Sequence, residues 1–346
     1  MTRLERLGAS LTEPLLVTGG VNVRYLTGLS SSNVALLVEP GGTTTLYTDF
    51  RYLEKAAAVE GVTIERTMRD VIGALSTLLS GRRVGFEPAQ VTFAAYERLT
   101  GGGVELVPNG GLVEALRSVK EPAEIAAIRR AAVFSDEMYA ALAQEKFTGR
   151  TERELAWWIE QAFHDAGADG VAFGSIVASG TNGASPHAEP SDLVIAPGTL
   201  VTIDAGCKVD GYCSDCTRTF ATGELPTQLA EAYALCLEAQ LAGLAAVRPG
   251  ARGVDVDAES RVAINAAGFG EHYGHGLGHG VGLEVHEAPT LRPESEDVLG
   301  VGNIVTAEPG IYLPGVGGVR IEDLVLVTAD GGESLTHFTK ELVTVG

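Results

Sequence analysis

Two stretches of this chain spell nearly the same strand: GTLVTIDAG at residues 198–206 and GNIVTAEPG at residues 302–310. Each ends an aliphatic run on an acid, Asp204 in the first copy and Glu308 in the second. An isolated carboxylate buried among Val, Ile and Leu costs several kcal/mol or more, so each acid requires a partner. A metal ion shared by two halves of a pseudo-symmetric site would partner both.

The sequence after each strand fits that reading. Asp215 follows Asp204 in GYCSDCTRT, and a turn near Lys208–Gly211 would place the two aspartates face to face across paired strands. Glu322 follows Glu308 in VRIED, after the glycine-rich Gly315-Val316-Gly317-Gly318. Between the copies lies HYGHGLGHGVGLEVHE at residues 272–287, which holds four of the chain's seven histidines. Its glycines permit close backbone approach and weaken any ordinary strand, so core packing does not explain the cluster. Four carboxylates with one imidazole make an oxygen-rich donor set, suited to Mn²⁺, Co²⁺ or Zn²⁺ rather than to a thiolate centre. Four carboxylates would leave one divalent ion with excess negative charge, and two ions balance them better.

Other chemistries are excluded more simply. A formal charge of −20 leaves no Lys and Arg clusters for the phosphates of a nucleic acid. No apolar run near the ~18 residues that span a bilayer stands out, and the start MTRLERLGASLTEP lacks a signal-peptide core, so the expected location is the cytoplasm. Cys213 and Cys216 look like half a zinc site, but strand residues three apart point to opposite faces.

The length calls for two domains. Up to about residue 117, strand-like runs (15–18, 34–38, 44–48, 83–86) alternate with helix-like ones (51–59, 71–79, 92–99), which predicts a small α/β domain. Pro122 opens a helix with Ile125, Ile128 and Ala132 on one face, which sets the boundary at 117/118. In 118–346, Thr151 and Glu154 form a capping box ahead of a stripe of Leu155, Trp158, Ile159, Ala162 and Phe163. Further helices are expected over 227–247 and 254–267, covering a curved antiparallel sheet in an α+β architecture.

These motifs resemble the pita-bread metallopeptidases, the family of methionine aminopeptidase, aminopeptidase P and prolidase, over nearly the whole chain. The resemblance implies a pita-bread (creatinase/aminopeptidase-like) catalytic domain with pseudo-two-fold symmetry, preceded by a small α/β creatinase-type domain. It implies five metal ligands, Asp204, Asp215, His279, Glu308 and Glu322, none of them substituted, and catalytic histidines at His187 of Ser185-Pro186-His187 and His286 of Val285-His286-Glu287. The segments NVRYLTG (22–28) and TDFRY (48–52) are similar to the extra N-terminal domain of aminopeptidase P, prolidase and creatinase, which methionine aminopeptidases lack. A homodimer is implied as well.

Two divalent ions, Mn²⁺ first, spaced about 3.5–4 Å apart can bridge a water and lower its pKa toward neutrality, giving a hydroxide that faces a peptide carbonyl. Glu308 would carry the proton, while His187 or His286 would stabilise the oxyanion and the leaving nitrogen. The expected activity is that of an Xaa-Pro aminopeptidase acting on peptides with proline in second position, with His275 and Arg320 forming and supporting the proline subsite. The alternative is an Xaa-Pro dipeptidase. Small prolidases carry an arginine just after His-Glu-x-Pro and a histidine after Tyr-Leu-Ser/Thr-Gly. This chain has Thr290 after Pro289 and no histidine after Tyr25-Leu26-Thr27-Gly28, with Arg292 as a possible substitute. Intact ligands argue against an inactive peptide-binding relative and against a creatinase-like amidinohydrolase.

Overall fold

Leu15–Val17 and Val34–Val38 are continuous aliphatic runs without polar alternation, the pattern of strands covered on both faces. They lie at the centre of a six-stranded sheet in the computed structural model, which describes all 346 residues. The chain forms two compact units, Met1–Arg117 and Ser118–Gly346.

In the first unit the strand order is Thr63–Arg66, Thr44–Thr48, Val34–Val38, Leu15–Val17, Arg83–Phe86, Glu105–Pro108. The sheet is mixed: Leu15–Val17 runs antiparallel to Val34–Val38 and parallel to Arg83–Phe86. Helices Val71–Leu78 and Phe93–Gly101 bury Val71, Leu75 and Leu99 against Leu16, Leu37 and Val84. Both outer strands went unread in the sequence, because TIER and ELVP are short, largely exposed edges without an aliphatic run. The helix expected over 51–59 shrinks to Leu53–Ala56, and an unexpected one, Gly20–Thr27, ends on Gly28 at φ 75.

In the second unit Pro122–Leu142 begins on its proline, and the Glu121 N–H donates to Glu124 Oε2 at 2.8 Å. Its buried face, Ile128, Ala131, Ala132, Met138 and Tyr139, lies against the sheets. Glu152–Asp165 carries the expected capping box, with Leu155, Ile159 and Phe163 fully buried and Trp158 half-buried. The helices Thr227–Ala246 and Gly253–Ala266 follow. By length and composition the first of these is apolar enough to cross a membrane, contrary to the expectation that no such run exists. Here Leu229, Tyr233, Cys236 and Ala239 pack on Ile311, Val319 and Ile321 of a hairpin, so its apolar face is core.

All four cysteines are buried free thiols. Cys213 lies with Ile128 and Val281, whereas Cys216 lies with Tyr139 and Ile203 in another cluster. Burial pushes the Cys213 thiol up to about 12. The opposite-face argument accounts for the separation, and no thiolate pair forms.

Candidate metal centre

The first acid-bearing hairpin turns at Asp210-Gly211, with φ of 51° and 75°. Two residues of positive φ match the twist of paired strands, and Asp-Gly is a preferred choice for them. This turn lies one residue later than a turn centred within Lys208–Gly211, so the register moves by two. Asp204 is therefore paired with Thr217, and the Ala205 N–H donates to the Cys216 carbonyl. Asp215 becomes a diagonal neighbour of Asp204 on the same face rather than its direct opposite.

The second hairpin meets the expectation more closely. Strand Ile304–Ala307 pairs with Asp323–Thr328, and Gly310–Leu313 pairs with Gly317–Arg320, in one continuous register. Glu308 and Glu322 fall opposite each other in the break between the two ladders. The hairpins join where the Glu322 N–H donates to the Thr217 carbonyl (3.1 Å) and Thr217 Oγ1 donates to Glu322 Oε2 (2.7 Å).

His279 enters from the short strand Gly278–Gly280. A Cβ on Gly278 would meet the Thr306 carbonyl at 2.1 Å, and one on Gly280 the Ala288 carbonyl at 2.3 Å. Only glycines allow neighbouring strands this close, which accounts for the glycine-histidine-glycine pattern. His279 Nε2 then stands 3.1 Å from Glu308 Oε1 and 3.6 Å from Asp215 Oδ2.

Donor atoms of Asp215, His279 and Glu322 lie within 4.8 Å of one another. Asp204 Oδ1, Asp215 Oδ1 and Glu322 Oε1 are buried without a hydrogen-bond partner. Oxygens of this kind are costly unless something cationic faces them. Four carboxylates and one imidazole suit divalent ions that favour oxygen and nitrogen. The residues fit a metal.

The electrostatics agree. Burial, then the charges of Glu322, Asp204 and Glu308, drives Asp215 well above the usual carboxylate range. Glu322 is driven up by burial and by Glu308 and Asp204, and Asp204 is raised by burial against the opposing pull of Arg320. Burial would raise Glu308 too, but the hydrogen bond and charge of His279, together with His275 and Arg320, outweigh it and hold Glu308 at about 2. Burial would lower His279, and Glu308 reverses the sign.

His275 is part-buried, and its Nε2 lies 2.9 Å from the Tyr312 hydroxyl. Arg320, expected with His275 to form and support the proline subsite, is engaged by protein partners. It donates to Asp204 Oδ2 (2.8 Å), Thr217 Oγ1 (3.1 Å), the Tyr312 hydroxyl (2.9 Å) and the Pro186 carbonyl (3.1 Å). These bonds tie Arg320 to Asp204 and, through the Tyr312 hydroxyl, to His275. His286 is exposed, with its ring 4.3 Å from that of His279. His187 is also exposed and lines a cavity of about 560 Å³ with Arg153, Trp157, Ser175, Ile176 and Glu189. Sequence reasoning missed Thr217 and Tyr312, since neither a strand threonine nor a strand tyrosine carries a local signal of its partners.

Metal removal has an expected signature. The raised carboxylates Asp204, Asp215 and Glu322 favour the protonated folded state, a stabilisation present below their unfolded values near ~4 and lost as pH rises through their raised folded values. Metal replaces those protons, so its stabilising effect grows with pH. Melting curves with chelator and with Mn²⁺ should separate more at about pH 8 than at about pH 5. A separation that narrows toward high pH would contradict this account. Elemental analysis finding at most one ion per chain would overturn the two-ion count.

Residues 126–329 match the profile of metallopeptidase family M24, and residues 3–119 match the creatinase/prolidase N-terminal domain. The chain is similar to the Xaa-Pro dipeptidase of Pyrococcus horikoshii, at 34% identity covering 98% of this chain and 97% of the relative. Among solved structures it is similar to an Xaa-Pro dipeptidase from Bacillus anthracis (TM-score 0.95, 37% identity, 99% of both chains). It is similar as well to an X-Pro aminopeptidase from Thermotoga maritima (TM-score 0.88, 32% identity, 99% of this chain and 100% of the other).

Proposed function

The chain belongs to metallopeptidase family M24, with a creatinase-type N-terminal domain and a pita-bread catalytic domain, and from that premise we propose that it is an Xaa-Pro dipeptidase. The observation that carries this reading is end-to-end similarity to a dipeptidase of that specificity, at 34% identity over 98% of the chain. It reverses the order expected from the motifs, which favoured the aminopeptidase. The aminopeptidase stays as the second reading because a structure of that activity also superposes over the whole chain.

Asp204, Asp215, His279, Glu308 and Glu322 would hold the divalent ions. Such ions lower the pKa of a water and polarise a carbonyl. The chain's own groups account for the rest. Glu308, at the edge of the acid cluster, accepts a proton from the attacking water and passes it to the proline nitrogen as the C–N bond breaks. That nitrogen belongs to a tertiary amide with no N–H, so it needs an incoming proton to leave as an amine. Partial enclosure of the otherwise exposed ring, and then the neighbouring His279, lower His286, so at neutral pH its imidazole offers one N–H to the carbonyl oxygen as negative charge develops there. His187 takes the second such role; the carbonyl of its neighbour Pro186 is tied through Arg320 to Asp204, which brings it beside the acid cluster. Arg320 fixes Asp204 and the Tyr312 hydroxyl, and Tyr312 in turn fixes His275.

A dipeptidase must also hold the free carboxylate that follows proline. Arg292 is the candidate cation: its side chain is exposed, and its Cβ lies 2.6 Å from where a Cβ on Gly276 would stand, one residue from His275. The test compares kcat/KM for an Xaa-Pro dipeptide with that for the same peptide extended or amidated at its C-terminus. Loss of the carboxylate should cost about tenfold or more, the scale of one charged hydrogen bond, and Arg292→Ala should erase the difference. Preference for the extended peptide would return the assignment to the aminopeptidase.

A further inference from the structure

The exposed His187 sits on an excursion that leaves the sheet at Ser179 and ends at Ser191, and this segment contains only one turn of 3-10 helix, Gly180–Ala184. A segment so short of regular structure holds a side chain in place only if something else fixes its ends. One side chain does so. Glu152, the first residue of helix Glu152–Asp165, is fully buried, and its carboxylate faces the excursion. Oε1 accepts from the Ser179 N–H (2.6 Å) and Ser179 Oγ (2.9 Å). Oε2 accepts from the Ser191 N–H (3.0 Å), Ser191 Oγ (2.7 Å) and Asn182 Nδ2 (2.7 Å). Asn182 Nδ2 also lies 3.2 Å from the Glu189 carbonyl. The two ends of the excursion therefore share one carboxylate. On its far side the Pro186 carbonyl accepts from Arg320 Nη1, the guanidinium that also holds Asp204.

We propose that Glu152 is a positioning residue of the active site, clamping the excursion so that His187 meets the substrate at a fixed place relative to the acid cluster. The inference rests on the reading of His187 as a group that touches substrate. A carboxylate is the required group because two of the five donors are backbone N–H groups, one on each oxygen, and neither can rotate away. In Glu152→Gln the amide keeps one acceptor oxygen and turns an NH2 toward the other backbone N–H, so one end of the clamp must open. Glu152→Asp keeps both acceptors on a stem one methylene shorter. Misplacing a catalytic group by about an ångström can cost up to ~10²-fold in rate.

The test is a double-mutant cycle between Glu152 and His187 in the metal-loaded enzyme. Metal content and melting temperature are measured beside kcat and KM. Glu152→Gln is expected to lower kcat by about tenfold to 10²-fold with metal content unchanged, and Glu152→Asp should recover part of the loss. In the His187→Ala background the same Glu152→Gln change should cost little further, because residues that act as one unit are not additive. A general loss of packing would lower both backgrounds alike. If His187→Ala is slow and Glu152→Gln multiplies onto it in full, the positioning role is overturned while the reading of His187 stands. If His187→Ala is as fast as the parent, that reading falls and the clamp falls with it. Should Glu152→Gln fail to accumulate as folded protein, Ser191→Ala, which removes one hydroxyl donor at a part-buried position, is run through the same cycle with the same interpretation.

Discussion

Asp215→Asn is expected to abolish both metal retention and hydrolysis in a protein that still folds. Asp215 is 4% exposed, with Oδ1 unpartnered and Oδ2 facing His279. A carboxamide there is neutral and turns a donor toward groups that should face a cation. Metal ions contribute several kcal/mol to catalysis of this kind, and about 1.36 kcal/mol is tenfold in rate, so the loss should reach at least ~10³-fold. The stability change should have the opposite sign. Burial and three neighbouring carboxylates oppose the charge on Asp215 and raise its folded pKa. A raised carboxylate stabilises the fold below its unfolded value and costs stability as pH rises through the folded one. At neutral pH and with chelator present, Asp215→Asn should therefore melt no lower than the parent, and it should lose the upward shift that Mn²⁺ gives the parent. Melting curves with and without chelator, together with metal analysis, check both halves. Wild-type metal content in the variant would remove Asp215 from the ligand set.

The second large effect is expected at the exposed histidines. His286→Ala and His187→Ala should each lower kcat by roughly 10² or more, the scale of a lost oxyanion donor or general acid, while metal content stays at the parental level. The geometry separates these two from His279. The His279 ring is within 3.6 Å of two carboxylates, whereas His286 touches that ring edge-on from outside and His187 lies on the cavity wall. Loss of metal in either variant would place it among the ligands instead. Unchanged kcat with raised KM would make it a binding residue only, since that pattern marks interactions equal in ground and transition states.

Much of the candidate site was legible because its chemistry conflicts with local rules. Acids at the ends of aliphatic strands, and histidines among glycines too frequent for a strand, both cost stability unless they serve a site, so they stand out against the surrounding pattern. Helix starts were legible for a related reason: Thr151 with Glu154, and Pro122, act within one turn of their own positions. The edge strands Thr63–Arg66 and Glu105–Pro108 were not, since a half-exposed strand of four residues has no distinguishing pattern.

What the sequence by itself determined is the candidate donor set and the repeat that delivers it: four acids at the ends of apolar runs and a glycine-flanked histidine, a combination that calls for a metal. Tertiary structure decided how these groups are arranged and supported. A turn one residue later than expected made Asp204 and Asp215 diagonal neighbours while leaving Glu308 and Glu322 opposed. The bonds of Arg320 to Asp204 and Tyr312, and the hydrogen bonds from Ser179 and Ser191 that share the Glu152 carboxylate, exist only in the folded arrangement. The physical reason is range. Propensity, capping and periodicity act over a few residues, whereas the partners of Arg320 and Glu152 lie up to 134 residues away along the chain. A hydrogen bond across that separation exists only once the two hairpins and the helix that carries Glu152 have been brought together.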